Sequence, residues 1–180
     1  CGKNLLNFAH GKLRAKQHAT RAEVKVWSRA EVETWLRTAE VETPEAMPVW
    51  VLMFFAGLRP HEAAKITWEA VNLAHRHVRV DAAISKVGEA RLVTLSDNAL
   101  AWLATYRPHI ARGPMVRGKD PVGVVRNWRE KIKTKLSLTD YPVDVARHTF
   151  ATAHYEAHGD AGATAKQLGH FGGLDIFRKH

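Results

Sequence analysis

The sequence predicts a mainly α-helical domain of the α+β class with one small antiparallel β-sheet. Apolar residues recur at helical spacing along most of the chain, whereas alternation with a period of two is confined to residues 77–95. The chain has 180 residues, of which 46% are hydrophobic, and this is enough to bury a sizeable core in one domain. We therefore expect one domain over residues 28–180, preceded by a basic linker or arm over residues 1–27.

The positive charge is concentrated in two segments. The formal net charge is +9, and the Lys and Arg residues outnumber the acidic residues most strongly in residues 1–29 and 112–135. Such segments indicate a polyanionic partner, most simply the phosphate backbone of a nucleic acid. The alternative is a solvated basic surface that keeps the protein soluble, and composition alone does not decide between the two.

Composition also excludes several classes of protein. Cys1 is the one cysteine, so neither a disulfide framework nor a cysteine-based zinc site can form. We find no signal-peptide pattern in these residues, and the longest apolar run, residues 48–58, is too short to cross a bilayer. We expect a soluble protein of a reducing compartment, the cytoplasm.

The first two helices are defined by their ends. Ser28 and Glu31 form a capping box before a helix over about residues 29–41. Residues 49–56 are apolar on all sides, which predicts the buried central helix of the domain. Gly57 ends that helix.

Arg59 lies at the junction between this buried helix and the next one. Pro60 disfavours helical conformation at Arg59 and can occupy the first turn of a third helix, which we expect to continue through Ile66 and Trp68. A guanidinium at this junction is anchored but directed outward. Glu62, one turn further on, can hold the guanidinium or simply cap the helix, and the cap is the more ordinary role.

Residues 77–81 and 90–95 alternate between apolar and polar side chains. They predict an antiparallel hairpin or a three-stranded sheet, with residues 85–89 as its turn. This turn carries Lys86. A lysine in a loop is usually just solvated, so its position alone does not indicate a function.

Two further helices follow the hairpin. Asp97 caps a helix that closes near Pro108, and residues 121–136 form a helix with one apolar face. The basic residues of the second helix and of the loop before it can face phosphates. We select as DNA-binding candidates Arg112, Arg117, Lys119, Arg126, Arg129, Lys131 and Lys133.

The most informative stretch is residues 143–152. Arg147 opens an apolar helical run there, so its guanidinium lies in the first turn, where free backbone N–H groups favour an anion. Leu168-Gly169-His170 ends a second short helix 23 residues after Arg147, so an imidazole can return to the side of the guanidinium. An arginine at a helix start is often only a surface charge. Whether Arg147 has a function therefore depends on the motifs that precede it in the sequence.

We expect three helical pieces in this C-terminal part. The first begins around Arg147, buries Tyr155 together with Phe150 and Ala151, and ends at Gly159. The second is capped by Asp160. A last helical piece covers residues 174–179.

In this order the motifs resemble those of the tyrosine recombinase, or phage integrase, family, whose catalytic domain would cover about residues 28–180. The resemblance rests on four motifs: residues 56–62 with Arg59 as the first arginine, the hairpin with Lys86 five residues before Arg91, residues 146–152 with Arg147 as the second arginine, and Leu168-Gly169-His170. Four motifs in one order are far more specific than any one of them.

The resemblance implies cleavage and rejoining of DNA strands through a phosphotyrosine intermediate, in site-specific recombination or integration. Arg59 and Arg147 would bind the phosphate oxygens, His170 would donate a further hydrogen bond, and Lys86 would protonate the departing 5′ oxygen. Such a scheme needs neither a metal nor a nucleotide cofactor. It also implies double-stranded DNA as the partner and self-association on DNA into a tetrameric synapse.

The sequence departs from the family in two places. Asp144 stands where the family usually has His or Lys, and it can orient Arg147, assist a proton relay or cap the helix. Glu62 and His148 are the other candidates for supporting roles. The nucleophilic tyrosine is expected shortly after His170, where the sequence has none. We therefore expect the nucleophile beyond the last residue, and a separate DNA-clamping domain before the first.

One alternative function is a metal hydrolase. His154 and His158 stand one helical turn apart with Asp160 nearby, and such histidine pairs bind zinc in some enzymes. The glutamate, however, is Glu156 and does not directly follow the first histidine, as the zinc-protease motif requires.

Another alternative is a basic helical module that grips DNA without chemistry, as an accessory or decayed recombinase. It shares the same pattern of charge. It has no need for Arg59, Lys86, Arg147 and His170 together, whereas a recombinase needs all four.

Overall fold

The computed structural model describes residues 24–107, 112–142 and 144–170. The elements in this part of the chain are α1 (Arg29–Glu42), α2 (Met47–Ala56), α3 (Pro60–Ala63), β1 (Val71–Asn72), β2 (His77–Val80), β3 (Arg91–Thr94), α4 (Asp97–Tyr106), α5 (Pro121–Lys135), α6 (Val145–His158) and α7 (Ala161–Leu168). Two short 3-10 helices stand at Pro44–Ala46 and Trp68–Ala70. The predicted class, mainly helical with one small antiparallel sheet, is confirmed.

Helix α2 is the buried centre of the fold. All of its residues except Phe55 are buried, and it packs against α1, α4 and α6. A helix without a polar face needs neighbours on every side, and burying each of its large apolar side chains contributes about 1.5–3 kcal/mol. The helix ends at Gly57, whose φ of 66° is left-handed. The prediction of a buried central helix is therefore confirmed.

The residues before α1 are fastened to α6. The backbone N–H of Trp27 donates to Thr149 Oγ1 at 2.9 Å, and the Trp27 ring contacts the rings of Trp35 and Tyr141. The predicted capping box is present, since the side chains of Ser28 and Glu31 accept each other's backbone N–H. The hydrogen bond to Thr149 thus joins the start of the domain to the helix that carries Arg147, and the aromatic cluster of Trp27, Trp35 and Tyr141 holds Trp27 in place.

The sheet is antiparallel in the order β1-β2-β3. Val80 stands opposite Arg91 in the register of β2 and β3. At the far edge of β3, the side chain of Gln167 accepts from Thr94 N at 3.2 Å and donates to Thr94 O at 2.6 Å. The amide of Gln167 therefore imitates a pairing strand and docks α7 on the edge of the sheet.

The predicted third helix is shorter than expected. Helix α3 ends at Ala63, and the expectation that it continues through Ile66 and Trp68 is wrong. Ile66 O instead accepts from Met115 N at 3.1 Å, and Trp68 N donates to Gly113 O at 2.9 Å. The backbone groups of this segment thus find partners in an extended pairing, which their β-branched residues favour over a helix.

Two smaller predictions are also wrong. Helix α4 is capped by Ser96, which accepts from Ala99 N at 3.3 Å, whereas Asp97 is the first helical residue. Tyr155 was expected to be buried but is 47% exposed. It lies five residues after buried Phe150, about 140° around the helix, and so faces away from α2.

The predicted N-terminal linker and the last predicted helical piece lie at the two ends of the chain. Most of the predicted linker and the whole predicted helical piece over residues 174–179 lie outside the described residues. Within residues 24–107, 112–142 and 144–170, no helix is both long and apolar enough to cross a bilayer.

Candidate active site

Arg147 joins three segments that are distant in sequence. It lies in the first turn of α6 and is only 5% exposed. Its Nη1 donates to Gly57 O at 2.6 Å, and its Nη2 donates to Leu168 O at 2.5 Å. One planar guanidinium therefore holds the turn after α2 and the end of α7 against the start of α6.

The environment of Arg147 is dry and positively charged. Burial, followed by the charge of Arg59, lowers the pKa of Arg147 from 12.5 to about 10, while the carboxylates of Glu62 and Asp144 act in the opposite direction. Arg147 remains protonated at neutral pH. Because little water reaches it, its charge is screened less than that of a surface arginine.

His170 lies beside this guanidinium. Its Nε2 is 3.1 Å from Nη2 of Arg147. Since arginine can only donate, Nε2 accepts in this hydrogen bond, and we assign the ring proton to Nδ1. The structure thus brings Arg147 and His170 together, with Nε2 of the imidazole as the acceptor.

Glu62 is fully buried beneath Arg59. Its Oε2 accepts from the backbone N–H of Arg59 at 3.0 Å, and its Oε1 accepts from Arg59 Nη1 at 3.3 Å. The two roles considered for Glu62, capping the helix and holding the guanidinium, are therefore both filled. The side chain of Arg59 is 13% exposed, so it is anchored at this junction but still reaches the surface.

Arg59, Arg91 and Arg147 form a guanidinium cluster around the carboxylate of Glu62. Sequence reasoning missed Arg91 as a member of this cluster. It donates from Nη1 to Glu62 Oε1 at 3.0 Å and from Nη2 to Glu62 Oε2 at 2.7 Å. Alternation along β3 offered a signal, because Arg91 shares a face with Val93, which is buried. An arginine at an inward position of a strand requires a buried anionic partner.

Gly169 completes this packing. Its φ is 71°, and a β-carbon at Gly169 would lie 2.8 Å from Cδ and 2.9 Å from Nε of Arg91. The glycine before His170 thus leaves room for the side chain that holds Glu62. The Leu168-Gly169-His170 motif, strand β3 and the motif that contains Glu62 therefore meet at Arg91.

The carboxyl of Glu62 stays ionised despite its burial. Burial alone would raise its pKa, but hydrogen bonds from Arg91 and from the backbone of Arg59, together with both guanidinium charges, outweigh it. The net result is a pKa below the usual 4.5. The ionised carboxylate of Glu62 therefore lies as a buried anion between the cations Arg59 and Arg91.

Lys86 lies in the exposed turn between β2 and β3, as predicted. Its charge acts on His61 at the start of α3: burial lowers the pKa of His61, Glu62 opposes this, and Arg59, Lys65 and Lys86 add to the lowering. Lys86 is thus on the same side of the domain as Arg59, although no direct contact joins it to the guanidinium cluster in the described residues.

Asp144 stands at the N-cap position of α6 with φ 59° and ψ 17°, and its side chain makes no capping hydrogen bond. The capping role considered for Asp144 is therefore not the one it fills. Its charge instead favours the protonated form of Arg147. His148 is half-buried beside Arg147, and its backbone N–H donates to Asp144 O at 2.9 Å.

The structure does not bring the predicted DNA-binding cations into this cluster. Arg112, Arg117, Lys119 and Arg126 are exposed. The others make ion pairs on or beside α5: Lys131 with Glu42 at 3.6 Å, and Arg129 and Lys133 with Glu130 at 3.0 Å each. Lys131 is exposed, whereas Arg129 and Lys133 are half-buried. Pairs at the surface are worth about 0–1 kcal/mol and can open to a phosphate.

The histidines of the alternative metal site have other partners. His154 Nδ1 is 2.8 Å from Thr164 Oγ1, and the rings of His154 and His158 are 4.4 Å apart. The carboxylate of Asp160 accepts from Ala163 N as the cap of α7. Among the described residues, no three His, Cys, Asp or Glu side chains are grouped to hold a metal ion.

The sequence contains three tyrosines, and each lies away from the cluster. Tyr106 donates to Glu40 at 2.5 Å. Tyr141 is buried in the aromatic cluster, and burial raises the pKa of its phenol. Tyr155 stands eight residues after Arg147, about 12 Å further along α6.

The sequence matches the profile of the phage integrase family over residues 25–172. A curated relative, tyrosine recombinase XerC of Actinobacillus pleuropneumoniae serotype 7 (strain AP76), is 30% identical over 132 residues. The match covers 66% of this chain and 41% of that protein. The chain thus spans about two fifths of the length of this relative.

Solved structures resemble the fold over most of the chain. The crystal structure of XerA recombinase has a TM-score of 0.69 at 17% identity, covering 96% of this chain and 68% of that one. The catalytic domain of bacteriophage HP1 integrase has a TM-score of 0.68 at 17% identity, covering 87% and 86%. XerH bound to palindromic difH substrate, in a post-cleavage complex, has a TM-score of 0.67 at 17% identity, covering 90% and 50%.

Proposed function

This chain belongs to the phage integrase family, and from that membership we propose that it is the catalytic domain of an enzyme that breaks and rejoins DNA strands in site-specific recombination. The observation that carries the proposal is the group of buried charges around Arg147: its guanidinium contacts His170 and lies within range of the charge of Arg59, which pairs with the buried carboxylate of Glu62. The structure of XerH with its difH substrate adds support, since it concerns a protein of similar fold.

The two arginines are suited to a phosphodiester. As a nucleophile attacks phosphorus, negative charge grows on the nonbridging oxygens, and guanidinium groups stabilise that charge with paired hydrogen bonds. Arg59 is the arginine that reaches the surface. Arg147, whose Nη1 and Nη2 bind carbonyls, contributes mainly its charge and holds the turn that carries Arg59.

Lys86 supplies a proton in this proposal, and His170 supplies a further hydrogen bond. When the bond from phosphorus to the nucleophile forms, the bond to the 5′ oxygen breaks, and that oxygen needs a proton. Lys86 is on an exposed turn at the same side as Arg59, so it can approach a bound strand and donate that proton. His170 holds a further hydrogen bond near Arg147. Asp144 and His148 support Arg147 from the start of α6.

The nucleophile is a tyrosine that is not among the three in this sequence. Tyr106, Tyr141 and Tyr155 have other surroundings, as described above. The energy of the broken bond would be kept in the phosphotyrosine, so that rejoining needs neither a metal nor a nucleotide. We propose that a longer chain supplies this tyrosine after His180.

Duplex DNA is the proposed partner. The exposed cations before and within α5, Arg112, Arg117, Lys119 and Arg126, together with Arg129, Lys131 and Lys133, would contact phosphates along the strand. Affinity should fall steeply as the salt concentration rises. The proposal includes self-association of recombinase copies on DNA into a tetrameric synapse, and action in the cytoplasm.

One observation favours a second function, a non-catalytic DNA-binding relative: no tyrosine lies at the cluster in the described residues. One experiment separates the two. The chain is prolonged along its own gene by about a dozen residues past His180, roughly 18 Å if helical, and mixed with a suicide duplex from its own element. A recombinase forms a covalent protein–DNA adduct that survives denaturation, and Arg59→Ala abolishes it. A prolonged chain that contains a tyrosine but binds the duplex without an adduct would establish the second function.

A further inference from the structure

Arg59 and Arg91 share one buried carboxylate. Each oxygen of Glu62 accepts two hydrogen bonds, one from each arginine. We propose that Arg91 is a positioning residue: it occupies the carboxylate of Glu62 and so leaves the guanidinium of Arg59 available to a phosphate. This inference rests on the proposed function and assigns a role in it to a residue that touches neither DNA nor the reacting atoms.

The hydrogen-bond distances show that Arg91 binds the carboxylate of Glu62 more closely than the guanidinium of Arg59 does. The fork of Arg91 reaches both oxygens of Glu62, at 3.0 and 2.7 Å. Arg59 offers its backbone N–H at 3.0 Å, and its guanidinium contributes one bond from Nη1 at 3.3 Å, long for a charged pair. Among the described residues, this is the hydrogen bond made by the guanidinium of Arg59. No other hydrogen bond engages its remaining N–H groups within the part of the chain that the structure describes.

The carboxylate that Arg59 and Arg91 share is buried, so the loss of either partner has a large effect. The side chain of Glu62 is 0% exposed, and those of Arg91 and Arg59 are 4% and 13% exposed. A buried carboxylate that loses its partner is strongly destabilised. If Arg91 were neutral, Glu62 would attract the guanidinium of Arg59 as its replacement. Arg59 would then become a structural counter-ion and lose its grip on the phosphate.

The position of Arg91 suits this role. Arg91 stands at the start of β3 and points inward, opposite Val80 in the sheet. Gly169 leaves the space through which its side chain passes to Glu62. A lysine at this position keeps the charge but cannot form two parallel bonds to a carboxylate.

The test uses inorganic vanadate, a tetrahedral oxyanion that mimics phosphate, and measures its dissociation constant by calorimetry. Arg91→Met is expected to weaken vanadate binding about tenfold, the value of one charge-assisted hydrogen bond, and Arg91→Lys about threefold or more. The matched control is Arg79→Met in β2, whose arginine is exposed and pairs with Asp81. It should bind vanadate as the unaltered chain does.

The double variant Arg91→Met, Glu62→Gln separates positioning from simple structural support. Glutamine carries no charge and attracts Arg59 far less than the carboxylate does, so vanadate affinity should return to within about threefold of the unaltered chain. Urea unfolding of each variant identifies the fraction that is folded, and Arg91→Lys serves if Arg91→Met does not fold.

The results of these experiments distinguish the positioning role of Arg91 from the proposed phosphate site. Unchanged affinity in folded Arg91→Met or Arg91→Lys, or a double variant that is weaker than Arg91→Met alone, would overturn the positioning role and leave the proposed function intact. Failure of the unaltered chain to bind vanadate at all would overturn the phosphate site itself, and the positioning role with it.

Discussion

Gly169 lies so close to Arg91 that a β-carbon on the glycine would come within 2.8 Å of Cδ of the arginine. This contact joins the end of α7, where His170 is placed, to the arginine that holds Glu62. Small residues at such points allow close approach that any larger side chain prevents. The geometry of the candidate site therefore depends on this glycine as well as on the charged residues.

Gly169→Ala should destabilise the domain by about 2–4 kcal/mol, because it adds a clash to the strain of a left-handed backbone. Gly159→Ala is the matched control, since Gly159 has a φ of 64° but its β-carbon would meet nothing within 4 Å. It should lose about 1–2 kcal/mol from strain alone. Urea denaturation measures both. Equal losses would contradict the close packing of Gly169 on Arg91.

The carboxyl of Glu62 should make stability depend on acid pH. Its pKa is lowered in the folded protein, so the unfolded chain takes up this proton first as the pH falls. The stabilisation is complete above about pH 4.5 and is lost as the pH falls through the folded pKa. Urea midpoints of the unaltered chain and of Glu62→Gln should therefore converge toward acid pH.

The control for this titration is Glu33→Gln, whose carboxylate pairs with Arg37 at the surface. Because both side chains of this pair are exposed, its midpoint curve should run close to that of the unaltered chain. A Glu62→Gln curve that stays parallel to the unaltered chain from pH 7 to pH 3 would refute the ionised buried carboxylate.

Arg147→Lys should lower the free energy of unfolding, measured by urea denaturation. A lysine reaches one of the two carbonyls, Gly57 O or Leu168 O, and leaves the other buried without its donor. The expected loss of stability is about 1–3 kcal/mol. Arg37→Lys, at an exposed pair, should change stability by less than about 0.5 kcal/mol. Similar losses in the two variants would mean that the contacts of Arg147 carry no special weight.

Gln167→Leu should loosen the end of α7 from the sheet. It removes two hydrogen bonds to the backbone of Thr94. Each is worth about 1–1.5 kcal/mol of local opening free energy, so the amide hydrogen of Thr94 should exchange about tenfold faster or more. The neighbouring exposed residue Lys166 offers the control variant Lys166→Leu. Unchanged exchange at Thr94 in Gln167→Leu would rule out this docking.

The local sequence contained the signals for the central helix and for the meeting of Arg147 with His170. Gly57 and Gly169 end their helices at left-handed positions, as the pattern predicts. Those turns bring the flanking residues to one side. Caps, apolar periodicity and glycine punctuation are properties of neighbouring residues, so they can be recognised without tertiary information.

The features that could not be predicted depend on contacts between distant residues. Arg91 and Glu62 are 29 positions apart, and nothing local indicates which buried carboxylate an inward arginine meets. Helix α3 stops early because residues 113–115 pair with the segment after it. Asp144 occupies a cap position without capping, since the conformation of the backbone there is left-handed.

The central claim is that Arg59 stabilises negative charge on a scissile phosphate. The most direct measurement compares adduct formation by a prolonged, tyrosine-containing chain on two suicide duplexes, one with a phosphodiester and one with an uncharged methylphosphonate at the scissile position. Arg59→Ala should slow adduct formation about a hundredfold or more on the phosphodiester, and far less on the methylphosphonate, which has no charge to stabilise. An equal loss on both duplexes would contradict the account.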